Sequence, residues 1–222
     1  MIDCDRHMNH DIAEMARRHY GFGRWEAPYW FIGPEQGQSS SETTLNPRVE
    51  AWLHLGGDEL TDCRDFHARL GGTRWHRERP PLQRTWRRLM MLLMSYLDKP
   101  HDIESLRNYQ RDRWGRRNGE TCVIELSGLP AHNKKVSRDR ERFREARIET
   151  IRRRMRDHQP ELVVMYGKEP WSALAGQEIP DDRILTLGSM TLAVTPHPNK
   201  RGLTDAYWKH LGQTLRRINA SG

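Results

Sequence analysis

Five short apolar segments, separated by longer polar or amphipathic stretches, constrain the fold of this chain more than any other feature of its sequence. They occupy positions 29–33, 122–126, 162–167, 184–187 and 191–194. Apolar runs of this length, bounded by turn residues, are typical of buried strands. Short strands that alternate with helices form a parallel sheet with helices on both faces. The length of 222 residues indicates one domain.

The intervening segments carry helical periodicity. The clearest helix is predicted over 82–97, where apolar residues recur on one face. Further helices are predicted over 9–18, 45–70 with a break at positions 56–57, 102–115, 137–158, 169–175 and 203–218. Nine arginines lie between positions 138 and 156, interleaved with acidic residues. This run is typical of a solvated face crossed by ion pairs, and direct contact with DNA is the alternative.

Composition excludes several classes of protein. The longest apolar run, at positions 89–94, is too short to span a membrane, and the first residues lack the pattern of a secretory signal. Three scattered cysteines without a C-x-x-C pair indicate a reducing, cytoplasmic setting and argue against a zinc finger. The net charge is +7, and 31 of the 37 basic residues are arginine, which binds phosphate through two parallel hydrogen bonds. A nucleic acid partner is one explanation, and an arginine-rich composition without function is the other.

Polar loops follow three of the predicted strands, at the edge of the sheet where parallel folds bind ligands. Residues 33–37 read Gly-Pro-Glu-Gln-Gly, and residues 127–130 read Ser-Gly-Leu-Pro. The last strand leads into residues 195–202, which place a histidine between two prolines and next to two cations. Each loop by itself is a common kind of turn. We therefore interpret them as a set.

Taken together, residues 33–37 and the run His197-Pro-Asn199 resemble the two active-site motifs of the uracil-DNA glycosylase superfamily, over about 165 residues from Tyr29 onward. The resemblance implies a single domain over 1–222. Its fold would be a three-layer α/β/α sandwich with a central, mostly parallel four-stranded sheet. It also implies a monomeric DNA glycosylase, needing neither cofactor nor metal, that flips a base out of DNA and hydrolyses its N-glycosidic bond. Iron–sulfur branches of the superfamily use four cysteines, so no cluster is expected here.

The chemistry of base release gives each motif residue an expected role. Breaking the bond builds positive charge on the sugar and negative charge on the base. Glu35 would stabilise the cation and orient a water molecule, and His197 would hydrogen-bond to the departing base. Gly33 and Gln36 would line the base pocket. The expected DNA contacts are Asn199, Lys200, Arg201, Lys134 and Lys135.

The end of the second strand departs from the superfamily pattern. Uracil-specific members generally carry an asparagine there, whereas this chain has Glu125 and Leu126 followed by Ser127. A carboxylate accepts a hydrogen bond from the cytosine amine but repels the O4 atom of uracil. Glu125 and Ser127 are therefore candidate base-binding residues, and a 5-modified cytosine, such as glucosylated hydroxymethylcytosine in phage DNA, is the favoured substrate. A structural pairing of Glu125 with an arginine remains the alternative.

Three other functions stay open at this point: uracil removal in base-excision repair, a catalytically silent reader of modified DNA, and a nucleotide-processing α/β enzyme. The last is disfavoured because the chain lacks a phosphate-binding loop motif. The histidines at positions 7, 10, 54, 67 and 76 have no evident cysteine or acidic partner at metal-binding spacing. They are expected at the surface, and no metal site is expected.

Overall fold

The computed structural model describes residues 10–34, 45–129, 134–167, 171–179 and 183–220, with only the backbone for residues 45 and 134–142. Within these ranges the chain forms eight α-helices and seven strands. The helices are α1 (His10–Arg18), α2 (Leu45–His54), α3 (Cys63–Arg69), α4 (Arg84–Tyr96), α5 (Ile103–Asp112), α6 (Lys134–His158), α7 (Trp171–Ala175) and α8 (Asp205–Ala220). The strands are β1 (Gly21–Phe22), β2 (Tyr29–Gly33), β3 (Leu60–Thr61), β4 (Thr121–Glu125), β5 (Leu162–Tyr166), β6 (Ile184–Leu187) and β7 (Met190–Thr195).

All seven strands belong to one mixed sheet in the order β3-β1-β4-β2-β5-β7-β6. The four central strands, β4, β2, β5 and β7, are parallel. On the flanks, β1 runs antiparallel to β4, β3 runs parallel to β1, and β6 runs antiparallel to β7. The predicted α/β class is confirmed. The expected number of four strands is wrong for the described chain, because β6 and the two-residue strands β1 and β3 extend the sheet.

Helices cover both faces of the sheet. Alternate side chains of each central strand point to opposite faces, as the period of two requires. One face packs Phe31, Val123 and Val164 against α4, α5 and α8. The other packs Trp30, Ile124 and Val163 against α6 and α7. The two hydrophobic cores therefore lie on either side of the buried, parallel central strands.

Helix α4 is the main structural element beneath the last strand loop. The side chain of Gln83 caps its start by accepting a hydrogen bond from the Trp86 amide at 2.7 Å. Gly212 lets α8 approach α4 closely, since a Cβ atom there would lie 2.8 Å from Cβ of Ser95 and still closer to the Leu92 carbonyl. The residues from Leu89 to Tyr96 are all buried. No helix in the described ranges is long and apolar enough to cross a membrane.

Candidate active site

A single row of residues crosses the carboxyl ends of the four parallel strands, on the face covered by α4 and α8. The strand register places Gly33 of β2 opposite Glu125 of β4, and Tyr166 of β5 opposite Thr195 of β7. Ile32 pairs with Met165, so Gly33 and Tyr166 are neighbours as well. All four members of the row are buried. The register thus brings together Gly33 and Glu125, two residues predicted for the site, and adds Tyr166, which the sequence did not indicate.

Gly33 makes room for the phenol of Tyr166. A Cβ atom on Gly33 would lie 2.7 Å from Cε2 of Tyr166 and closer still to its Cζ and hydroxyl, so the ring rests directly over the β2 backbone. The same ring meets the imidazole of His197 edge-to-face, with centroids 5.8 Å apart. Burial, together with the nearby Glu125 carboxyl, raises the pKa of Tyr166 well above its usual value. The phenol is therefore a neutral hydrogen-bond donor between Glu125 and His197.

Glu125 is a buried carboxyl group whose Oε2 atom has no hydrogen-bond partner among the residues that the structure describes. Burial raises its pKa to about 8, although the positive charges of Arg147 and Arg48 act in the opposite direction. The side chain is therefore largely protonated at neutral pH and can donate as well as accept a hydrogen bond. Among the described contacts, no arginine forms an ion pair with this carboxyl group. The simple structural pairing considered from the sequence is therefore not seen.

Arg147 of α6 binds the backbone around Glu125 rather than its carboxyl group. Its buried guanidinium donates to the main-chain oxygens of Glu125 at 2.6 Å, Leu126 at 2.9 Å, Ala16 at 2.9 Å and His19 at 3.0 Å. Burial lowers the pKa of Arg147 to about 10, which leaves it charged at neutral pH. The residue ties the end of β4 to the segment that links α1 and β1. It thereby fixes the backbone that carries Glu125.

His197 follows β7 and is half-buried. Its Nδ1 atom accepts a hydrogen bond from the Asn199 amide at 3.1 Å, and this bond assigns the proton of the neutral ring to Nε2. Burial lowers the pKa of His197, which favours that neutral form. Nε2 makes no hydrogen bond to any other described residue. The ring therefore presents a neutral N–H donor in the site.

The first turns of α4 hold the His197 loop in place. Thr85 Oγ1 accepts a hydrogen bond from the side chain of Asn199 at 3.0 Å. Arg88 donates to the main-chain oxygens of Pro198 and Leu203. The sequence did not predict these contacts from Thr85 and Arg88. The one signal for them is that both residues lie on the polar face at the start of α4.

The other predicted site residues fall into three groups: those whose side chains bind the protein itself, those that are exposed, and those that lie outside the described residues. Ser127 closes a turn by donating to the Leu129 oxygen at 2.8 Å. The Asn199 side chain is turned inward to α4, whereas Lys200 and Arg201 are exposed. Glu35 and Gln36 lie outside the described residues, and so do the side chains of Lys134 and Lys135, whose backbone begins α6.

Lys200 and Arg201, near His197, differ from the ion-paired arginines of α6. On α6, Arg152 and Arg156 pair with Glu149 at 3.6 and 3.5 Å, in agreement with the predicted salt-bridged face. Lys200 and Arg201, by contrast, form no ion pair among the described residues. Arginines held by acids are already neutralised, so the pair beside His197 is better suited to bind phosphate.

Two cavities lie away from this edge of the sheet. One, of about 700 Å³, lies between α6 and α7, and the other, of about 410 Å³, lies beside β1 and β3. Neither is lined by the row of residues at the strand ends. The chemical case for the site therefore rests on its donors and their positions.

The expectation that the histidines are surface residues holds for His10 and His54, which are exposed, and is wrong for two others. His76 is buried and His67 is half-buried, and both contact the buried Cys63. The spacing of Cys63 and His67 becomes meaningful only because residues 63–69 are helical, which places residues four apart on one face.

No protein-family model matches the chain, and no curated protein is similar to it at a significant level.

Proposed function

We propose that this protein is a DNA glycosylase of the uracil-DNA glycosylase-like fold, which hydrolyses the N-glycosidic bond of a flipped-out modified pyrimidine and leaves an abasic site. The observation that carries the proposal is the neutral imidazole of His197, with its Nε2–H unpartnered among the described residues, next to Tyr166 at the carboxyl edge of the sheet. Base release needs donors that stabilise negative charge on the departing ring. Neutral donors in a buried site supply this stabilisation.

In the proposed mechanism, negative charge develops on the base and positive charge on the sugar as the bond breaks, and a different residue stabilises each charge. His197 donates from Nε2 to a carbonyl oxygen of the base as negative charge develops there. Because negative charge develops on the carbonyl oxygen only as the bond breaks, the hydrogen bond from His197 strengthens toward the transition state, which is the condition for lowering the barrier. Glu35 is proposed to stabilise the sugar cation and to orient the attacking water.

The protonated state of Glu125 alters the reasoning about base choice. A carboxylate would repel uracil O4, but a protonated carboxyl group can donate to O4 or accept from the cytosine amine. A 5-modified cytosine, such as glucosylated hydroxymethylcytosine in phage DNA, remains our first candidate substrate. Uracil, as in base-excision repair, becomes the second candidate because the raised pKa of Glu125 favours it.

Exposed cations are proposed to bind the DNA backbone on either side of the flipped nucleotide. Lys200 and Arg201 lie three and four residues after His197, and the exposed Arg84 precedes the Thr85 that supports the same loop. Contacts to phosphate position a protein on DNA, whereas contacts to the base specify the substrate. Lys134 and Lys135 are proposed as further backbone contacts.

The test is cleavage of duplexes that each contain one uracil, hydroxymethylcytosine or glucosylated hydroxymethylcytosine, followed by alkali treatment to cut abasic sites. We expect cleavage of at least one duplex. His197→Gln should slow it by about 10²–10³-fold, the usual effect of removing one donor to a developing anion. The matched control is His54→Gln, an exposed histidine, which should leave the rate unchanged.

Each alternative outcome has a distinct meaning. Tight binding of a modified duplex without cleavage would identify a reader of modified DNA. If the protein neither binds nor cleaves any of the duplexes, the proposal is overturned. If His197→Gln cleaves as fast as the wild type, the glycosylase activity stands, but His197 has no part in the mechanism.

A further inference from the structure

Three potential metal ligands converge at a second place in the fold. Cys63 Sγ lies 3.6 Å from His67 Nδ1 and 3.9 Å from His76 Nε2, and the two nitrogens are 3.0 Å apart. Cys63 is fully buried and His76 is 6% exposed. Within the described residues, these three side chains form a compact group of donor atoms, and no further histidine, cysteine or acidic ligand belongs to it.

The spacing of these atoms matches the ligand shell of a tetrahedral ion. With bonds of about 2.3 Å to sulfur and 2.0–2.1 Å to nitrogen, such an ion holds a sulfur and a nitrogen about 3.6 Å apart and two nitrogens about 3.4 Å apart. The observed separations depart from these values by only a few tenths of an ångström. Little side-chain movement would be needed to admit an ion.

The backbone around the cluster is fixed independently of any ion. Asp62 caps α3 by accepting hydrogen bonds from the amides of Arg64 and Asp65 at 3.0 and 3.2 Å. Arg116 donates to the same carboxylate at 2.8 Å. The start of α3, which carries Cys63, is therefore held in position. Preorganisation of this kind lowers the entropy lost when ligands gather around an ion.

Aromatic rings surround the two imidazoles. The ring of Trp86 lies 5.7 Å from that of His67 and 6.3 Å from that of His76, and Phe22 lies 5.7 Å from His67. An apolar shell limits water access and strengthens the interaction between a cation and its thiolate ligand.

We propose that Cys63, His67 and His76 form a binding site for a zinc-type transition metal ion. A thiolate with two neutral imidazoles is a donor set that Zn²⁺ prefers over the oxygen-seeking ions Ca²⁺ and Mg²⁺. On binding, the Cys63 thiol releases its proton to solvent, and the ion links α3 to the turn that carries His76. With three protein ligands, the fourth position is available to water.

This site lies toward the opposite end of β4 from the candidate active site. β3 runs antiparallel to β4 through its pairing with β1, so Cys63, which follows β3 closely, lies near the amino end of β4. The Cys63 amide donates to the oxygen of Gly115, which precedes β4 in the chain. Glu125 is at the other end of β4. The proposal therefore does not depend on the proposed glycosylase activity.

The experiment uses the full chain, stripped with a chelator and titrated with Co²⁺ or Zn²⁺ alone. We expect uptake of about one ion per chain, a thiolate-to-cobalt charge-transfer band and a higher Tm with Zn²⁺. Cys63→Ser should abolish the charge-transfer band. His76→Gln should weaken binding by at least about tenfold, and circular dichroism checks that each variant is folded.

The control variant is His54→Gln, which should bind both ions like the wild type. Uptake well below one ion per chain by the wild type would overturn the proposal and identify the cluster as a hydrogen-bonded thiol–imidazole group. Retention of the cobalt band and of full affinity in His76→Gln would also overturn the three-ligand site.

Discussion

Replacing Glu125 by glutamine is the most informative substitution for the stability of the fold, because its effect on the free energy of unfolding should depend strongly on pH. The pKa of this carboxyl group is raised from 4.5 to about 8 in the folded chain, mainly by burial. Folding is therefore favoured by its protonation. The resulting stability is fully present below the unfolded pKa of about 4.5 and is lost as the pH rises through the folded pKa of about 8.

The size of the effect follows from the difference in pKa. A tenfold change in proton affinity corresponds to about 1.4 kcal/mol. Because the unfolded carboxyl group is already mostly ionised at pH 5, the part of the difference that is titrated between pH 5 and pH 9 sets an upper bound of about 4 kcal/mol. Relaxation around the ionised group reduces this value, and we expect about 2–4 kcal/mol. Glutamine has nearly the same shape and never ionises. Glu125→Gln should therefore change stability little at pH 5 and raise it by this amount at pH 9.

Urea unfolding at the two pH values measures this difference directly. Glu178→Gln is the control, because Glu178 is exposed and its replacement should act within about 0.5 kcal/mol at either pH. An equal effect of Glu125→Gln at pH 5 and pH 9 would refute the reasoning. It would mean that Glu125 is ionised in the folded chain across this range.

Three further predictions concern the supports of the site and its surface. Arg147→Lys keeps a charge but loses the planar fork that binds four carbonyl oxygens. It should therefore destabilise the fold by about 3–5 kcal/mol in urea unfolding. A loss below about 1 kcal/mol would contradict the role given to Arg147. Gly33→Ala should cost about 1–3 kcal/mol through overlap with the Tyr166 ring, and a double-mutant cycle with Tyr166→Ala should recover much of it; strict additivity would speak against the contact. Replacing Lys200 and Arg201 by alanine should make the slope of log K against log salt shallower by about 2 in DNA-binding titrations, and an unchanged slope would remove both residues from the interface.

The sequence predicts the five longer strands well because each is an apolar run bounded by Gly, Pro or a polar loop. The segments 29–33 and 184–187 match β2 and β6 residue for residue. β1 and β3 could not be predicted in this way, since a strand of two residues has no periodicity and is defined only by its pairing partners. The sheet therefore has more strands than expected, because strands of two residues leave no periodic signal in the sequence.

Side chains at the end of a strand or just after it, such as Glu125 and His197, can be proposed as site residues from the sequence alone. Tyr166 was missed because it is the last apolar residue of a buried run, and its role emerges only from its position over Gly33. Arg147 was assigned to a solvated face because charge patterning cannot distinguish a solvent-facing arginine from one that binds carbonyl oxygens in the interior. The protonation of Glu125 likewise depends on burial, which the sequence does not specify.

The central claim is that the chain releases a base from DNA, and mass spectrometry of the small molecules released from a defined duplex tests it most directly. The duplex carries a single glucosylated hydroxymethylcytosine, and a matched duplex carries uracil. Our account predicts the intact free base together with an abasic site in the same strand, and a loss of both products in His197→Gln. Modified DNA that stays intact with both substrates, or a released nucleotide in place of a free base, would contradict it.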